Sequence, residues 1–325
     1  MSSGSIAGYF KPIALECLLV SNFPPVALYL KRGNANYILY KPDDVELTEK
    51  DYSRFEKSNI QFVYVRSGDA EIIARHLEEQ ARSILHREDL SAEIKEHILS
   101  IITFNYLNEV FMTPERIGDL KRCKNLLKTL IKSIVGKECL MQALAKVLDG
   151  SYQIFTHSID VTVLSILAHE AILNLHGDEL LEVGVGAMFH DIGIIHLTSN
   201  ALDGPYPCTD IDYSKVKLHP QMGYNMLLPL WGDEFGVALD IIRYHHEKFD
   251  GTGYPQGLTG ERIPRSAQIV SMCDVYSSLT TDRPFRKASS PKYTLGIMES
   301  ESHIFNKEYL SLFKTMILHP PAAPA

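Results

Sequence analysis

The sequence predicts an α+β chain in which a small α/β module precedes an all-helical domain. Three observations carry this reading. Short β-branched and aromatic runs are confined to the segment before Arg87. From Leu90 onward, apolar residues recur at three- and four-residue steps. Of thirteen histidines, eight are crowded between His157 and His246.

The 325 residues amount to two domains at about 150 residues each. With 45% hydrophobic and 22% charged residues the chain can bury a sizeable core, which excludes disordered and fibrous classes. The net charge of -8 argues against nucleic acid or an anionic membrane as the main partner, because both reward a basic surface. Mean hydropathy is -0.06, and no run reaches the ~18 apolar residues of a membrane span. Met1-Ser2-Ser3-Gly4-Ser5 lacks the cationic and apolar regions of a signal peptide. Cys17, Cys123, Cys139, Cys208 and Cys273 are scattered and never form a CxxC pair, so reduced thiols and a cytoplasmic location are expected.

The first module is expected over residues 1–88. Val26–Leu30 and Tyr37–Lys41 form a hairpin around Gly33-Asn34, and Gln61–Val65 is a third strand. Asp69 then caps a helix with Ile73, Leu77, Ala81 and Ile84 on one face. No catalytic cluster lies here, which favours a regulatory or docking role. A helical connector follows over residues 89–137. Ser91 is its N-cap, with Ile94, Ile98, Ile101 and Ile102 as the apolar stripe. A second helix starts at Pro114 and ends near Gly136, with apolar Ile117, Leu120, Leu127 and Ile131. Its Arg116, Lys121, Arg122, Lys124, Lys128 and Lys132 read as a solvated face in preference to a binding one. The helical domain spans 138–319, and the Pro/Ala tail 320–325 is expected to be disordered.

Within that domain, His157 falls on a helix Ser151–Leu175, and His190 and Asp191 fall at the end of a helix Glu179–His190. His219 stands at the mouth of a helix running to Leu228, His245 and His246 close a helix Val237–His246, and Asp274 lies inside a helix Ser266–Thr280. A lone histidine on an apolar helix is usually a core residue, and His169, His176 and His196 are left in that class. A His-Asp pair, a His-His pair and an aspartate after a glycine-rich loop are costly to bury together without a cation. Ligand type assigns one metal to His157, His190, Asp191 and Asp274 and a second to His219, His245 and His246, with Asp191 able to bridge. Imidazole and carboxylate without thiolate suit two divalent transition metals, Fe, Mn or Zn, rather than Mg or Ca. Two such ions ~3.5–4 Å apart hold a bridging hydroxide and clamp the attacking and leaving oxygens of a phosphoryl group.

His190-Asp191-Ile192-Gly193, followed by His245-His246-Glu247-Lys248-Phe249-Asp250-Gly251-Thr252-Gly253-Tyr254-Pro255, resembles the HD-GYP family of the HD phosphohydrolase superfamily. The likeness continues through Gly257-Leu258, Ile263-Pro264, Asp274-Val275-Tyr276 and Asp282-Arg283-Pro284-Phe285-Arg286, over roughly Glu138 to Tyr293. It implies an all-α HD-type catalytic domain, with all seven side chains above on metal positions and iron as the first metal expected. It also implies hydrolysis of cyclic di-GMP to pGpG or GMP in bacterial second-messenger signalling. By motif, Gly253, Tyr254, Arg283 and Arg286 contact substrate, and Gly251 and Gly253 give the loop its unusual backbone angles. Asp191 and Tyr254 are placed in the catalytic set, and Lys248 and a metal-bound water are the two candidates to protonate the leaving 3′ oxygen.

Four positions depart from the family pattern. Ile194 stands where the family has lysine, which removes a cation beside the scissile phosphate. Gln153 replaces a glutamate of three-metal members, so two metals are expected. Ser277 and Asp160 replace an aspartate and an arginine. Two readings follow: a phosphodiesterase acting on cyclic di-GMP or a relative, and a weakly catalytic sensor that signals to a protein partner through the N-terminal module or the glycine-rich loop.

Overall fold

The computed structural model describes residues 10–15, 18, 20, 22–32, 36–60, 62–87, 92–112, 120–134, 153–196, 214–282 and 286–319. The chain divides into two compact units, Met1–Tyr106 and Leu107–Ala325. The Gly33-Asn34 turn, Ser91, Pro114 and the tail 320–325 lie outside the described residues.

The first unit is built on a four-stranded antiparallel sheet, with β1 (Phe10–Ala14), β2 (Leu28–Arg32), β3 (Asn36–Lys41) and β4 (Phe62–Arg66) in the order β1-β4-β2-β3. In β4 the two-residue period is direct: Val63 and Val65 are buried while Phe62 and Arg66 are exposed. The helix expected after Asp69 is α2 (Ala70–His86), and Ile73, Leu77 and Ala81 are buried along it. Two elements escaped the sequence reading. β1 carries Pro12 and forms an edge of the sheet, where proline is tolerated, so its composition does not read as a strand. α1 (Glu49–Lys57) is nearly all polar and buries only Phe55. Its signal was the Thr48–Asp51 capping box rather than a hydrophobic period.

The connector forms α3 (Ala92–Met112) and α4 (Leu120–Ile134). On α4 the buried side chains are Cys123, Leu126, Leu127 and Leu130, so the stripe is turned from the expected one, of which only Leu127 is fully buried among the described residues. Its basic residues are used locally. Arg122 binds Glu109 at 2.8 Å, Lys124 pairs with Glu234 and covers the Phe235 ring at 4.8 Å, and Lys128 lies 3.9 Å from Asp178. The exposed Lys124 and Lys128 pairs contribute ~0–1 kcal/mol each.

The site is carried by α5 (Gln153–Leu173), α6 (Asp178–Met188), α7 (His219–Trp231), α8 (Gly236–Tyr244) and α9 (Arg265–Thr280), followed by α10 (Pro291–Ser300) and α11 (Lys307–Leu318). α5 is apolar on most sides because it is central: α6, α9 and α11 all pack on it. Val161, Leu164, Val183, Ile241, Ile269, Cys273, Met298 and Phe313 form the shared core. No helix among the described residues is long and apolar enough to cross a membrane.

His169 belongs to this core. Its Nδ1 donates to the Ser165 carbonyl at 2.7 Å, Nε2 is buried without a hydrogen bond, and burial lowers its pKa from about 6.5 to about 4. Between those values the unfolded chain binds more protons, so stability is lost as pH falls from 6.5 towards 4. From pH 6.5 to pH 5 this group costs about 2 kcal/mol. Urea unfolding at both pH values is expected to show a shallower loss in His169→Leu by about that amount; equal losses in the two proteins would exclude His169 as the cause.

Candidate metal centre

The structure brings all seven sequence-predicted histidines and aspartates together. Asp191, His219, His245 and His246 form one group, and His157, His190 and Asp274 a second, each with ligand atoms within 4.8 Å of one another. Asp191 joins the two groups. Its Oδ1 is 3.1 Å from His219 Nε2, and its Oδ2 is 3.3 Å from His190 Nε2. Asp274 lies 2.9 Å from His157 Nε2 through Oδ1 and 3.8 Å from His246 Nδ1 through Oδ2.

Helix ends achieve this convergence. α6 was expected to run through His190 but stops at Met188, and a 3-10 helix starts at Ile192. Consecutive residues inside a helix point about 100° apart; on the turn, His190 and Asp191 both reach the centre. α8 likewise stops at Tyr244, which leaves His245 and His246 on its cap. His219 is the first residue of α7, with Pro220 behind it.

Three imidazoles are oriented by one device. His190, His219 and His245 each donate Nδ1–H to a carbonyl three residues earlier, at Ala187 (2.8 Å), Val216 (2.7 Å) and Ile242 (3.0 Å). That fixes a proton on Nδ1 and aims Nε2 inward, the orientation a metal ligand requires. His157 is held differently, with Nδ1 3.0 Å from Ser277 Oγ.

These residues fit a divalent cation. His219 Nε2 and His245 Nε2 face each other at 3.2 Å, two lone pairs in contact unless a positive charge lies between them. His190 Nε2 is buried and off the line of any hydrogen bond despite its distance to Asp191. The electrostatics agree. Burial alone would lower the His190 pKa, but Asp191 and Asp274 outweigh it and raise it to about 9. Burial would raise both carboxyl groups, yet neighbouring imidazoles hold Asp191 and Asp274 well below the usual range. Burial and adjacent imidazoles push His245 far down, and burial brings His246 to about 4. Two anions, with His245 and His246 neutral at neutral pH, make a pocket that draws positive charge.

The glycine-rich loop folds back over this centre. Tyr254 N donates to His246 O at 3.2 Å, and the Tyr254 ring lies 4.8 Å from the His246 ring. Gly251 has φ +81° and does need a glycine's backbone freedom. Gly253 needs closeness instead: a Cβ there would come within 2.3 Å of Lys248 N and 2.6 Å of Glu247 Cα. Lys248 is exposed beside the loop, and its carbonyl accepts from Gly251 N at 2.8 Å.

Sequence reasoning passed over Glu247, whose buried carboxylate ties the loop down by accepting from Gln256 N at 2.7 Å and Leu258 N at 2.9 Å. Its only signal was an acid directly following two histidines. Arg286 is placed at the C-terminal end of α9, donating to the Leu279 carbonyl at 2.8 Å and to the Ser278 carbonyl. Arg283 and the side chain of Gln153 lie outside the described residues. Ile194 is half-buried on the 3-10 helix. Asp160, one turn after His157, is raised by burial to about 7, with His157 and Thr281 opposing the shift.

A helical bundle closed around a histidine–aspartate cluster, with a His-Asp turn at its centre, defines a metal-site class. The HD domain profile matches residues 142–306, and the chain belongs to the HD domain family; its motifs are those of the HD-GYP branch. It is 30% identical over 207 residues to a cyclic di-GMP phosphodiesterase of Pseudomonas aeruginosa, covering 63% of this chain and 49% of the relative. The cyclic di-GMP phosphodiesterase response regulator RpfG of Xanthomonas campestris is 36% identical over 36% of this chain and 31% of its own. The 3′3′-cGAMP-specific phosphodiesterase 3 of Vibrio cholerae is 30% identical over 51% and 36%. The chain thus spans half or less of the length of these relatives. A solved HDG"Y"P protein of Bdellovibrio bacteriovorus shares the fold, with a TM-score of 0.68 over 95% of this chain and 99% of that one at 18% identity.

Proposed function

We propose that this chain is a metal-dependent phosphodiesterase of the HD-GYP type that hydrolyses a cyclic dinucleotide, cyclic di-GMP first, to pGpG or GMP in bacterial signalling. The observation that carries the reading is the buried contact of His219 Nε2 with His245 Nε2 at 3.2 Å, with the Asp191 carboxylate 3.1 Å away. The names of the relatives supply the substrate class. In this reading His157, His190, Asp191 and Asp274 hold one divalent metal, and His219, His245 and His246 a second, iron being the expected ion. When bound, such a pair supplies the Lewis acidity that activates water and neutralises phosphoryl charge. Asp191 links the two halves, Tyr254 and Gly253 shape the substrate side, and Arg283 and Arg286 are candidate substrate contacts. Lys248 stands as the candidate proton donor. Purified protein loaded in turn with iron, manganese and zinc is expected to release linear product from cyclic di-GMP under reducing conditions; no product with any of them would end the reading.

Ile194 favours a second reading, a receptor that binds the nucleotide and cleaves it slowly, passing occupancy to a protein partner. Binding by calorimetry without turnover supports it. Ile194→Lys is then expected to raise turnover about tenfold or more, since one positioned charge contributes at least that in a transition state.

A further inference from the structure

One helix grips the His157 ring at both of its nitrogens. Asp274 and Ser277 stand three residues apart on α9, a spacing that puts both side chains on one face. Asp274 Oδ1 lies 2.9 Å from His157 Nε2, and Ser277 Oγ lies 3.0 Å from His157 Nδ1. His157 is 6% exposed and Ser277 1%, so neither contact has water to replace it. The turn that carries Ser277 is itself held. Its carbonyl accepts from Thr281 N at 3.1 Å, and Arg286 donates to the next two carbonyls, those of Ser278 and Leu279.

A hydroxyl does at Nδ1 what a carbonyl cannot. The carbonyls that anchor His190, His219 and His245 only accept, so each requires a proton on Nδ1 at all times. At His157 the Asp274 carboxylate accepts from Nε2 when no metal is bound. Nδ1 of the neutral ring is then bare and needs a donor. With Nε2 committed to a metal, the one ring proton sits on Nδ1, which needs an acceptor. Serine is a donor in the first state and an acceptor in the second, whereas a carboxylate at this position would serve only the second. The ring keeps one proton throughout, exchanged between its nitrogens through solvent, so its charge does not change.

Building on the metal-centre reading, we infer that Ser277 is a positioning residue of the centre, its hydroxyl holding the His157 ring in one orientation while the ring proton changes nitrogen as metal enters. The test is proton–nitrogen correlation NMR of the histidine rings in metal-free and zinc-loaded protein, with His157 assigned by its loss in His157→Gln. It is run near pH 8, above the ordinary imidazole pKa of about 6.5. In the wild type the His157 proton is expected on Nε2 without zinc and on Nδ1 with it. In Ser277→Asp it is expected on Nδ1 in both. Chelator competition is expected to show zinc affinity about tenfold weaker in Ser277→Ala, the usual cost of losing a group that orients a ligand. Ser277→Thr keeps the hydroxyl and is expected to stay within about threefold of wild type. The inference is overturned if wild-type His157 carries its Nδ1 proton with and without zinc, or if Ser277→Ala binds zinc unchanged. It is also overturned if Ser277→Thr unfolds in urea like the wild type yet binds zinc as weakly as Ser277→Ala. A wild type that takes up no zinc would overturn the metal-centre reading and this inference with it. The expected zinc results without turnover of cyclic di-GMP would uphold this inference and count only against the substrate.

Discussion

Asp191→Asn is expected to leave less than one metal ion per chain and to lower the proposed hydrolysis of a cyclic dinucleotide by about a thousandfold or more. The substitution keeps size and shape, so its effect isolates charge. The carboxylate faces His219 Nε2 at 3.1 Å, His190 Nε2 at 3.3 Å and His245 Nε2 at 4.0 Å, reaching both halves of the cluster. An amide has one weak oxygen ligand, no charge, and an NH2 that cannot share a cation. In the metal-free protein the same anion contributes to raising the His190 pKa to about 9, so at neutral pH metal entry must displace a proton there. Elemental analysis with thermal unfolding in a chelator separates the two roles. Metal lost, with a lower unfolding midpoint in chelator because His190 has lost its anion, is the expected pattern. Full metal occupancy in the variant would remove Asp191 from the ligand set.

Gly193→Ala is expected to be the more damaging change for the fold, costing about 3 kcal/mol or more. A Cβ at this position would lie 2.0 Å from the His219 carbonyl oxygen and 2.6 Å from Gly223 N. Both obstacles are backbone, so relief requires the first turn of α7 to move away from the His-Asp turn, carrying His219 with it. A lower unfolding midpoint in urea should therefore accompany weaker metal retention. Gly296→Ala is the control: it stands inside α10 with nothing within 4 Å, and removing a helical glycine there should stabilise by about 0.5–1 kcal/mol. If the two alanines behave alike, the close crossing at Gly193 does not position His219.

The contrast at Gly193 shows what kind of information each level holds. In sequence, the helix before this glycine reads as running through His190. In the fold, the helix has already ended at Met188, and Gly193 is the place where two backbones touch. Gly253 is similar: taken for conformational freedom, it is needed for close approach to Glu247 and Lys248. Local pattern reports which residues bend the chain, whereas contact between remote segments has no local pattern to report it. The same limit hid β1, which is placed by its pairing with β4 rather than by a hydrophobic period, whereas α1 did carry a local signal in the Thr48–Asp51 capping box.

The amino-acid sequence determined the fold class, strands first and helices after, and the identity of the seven clustered side chains, because hydrophobic period and ligand chemistry are written residue by residue. Tertiary structure decided what those side chains do to one another. It set the Nδ1 anchors that aim three imidazoles inward, the clamp of Glu247 on the loop, the placement of Arg286 at the end of α9 and the grip of Asp274 and Ser277 on His157. Each of these depends on distances of about 3 Å between groups that meet only when helix ends converge, and hydrogen-bond and charge energies vary steeply near that distance.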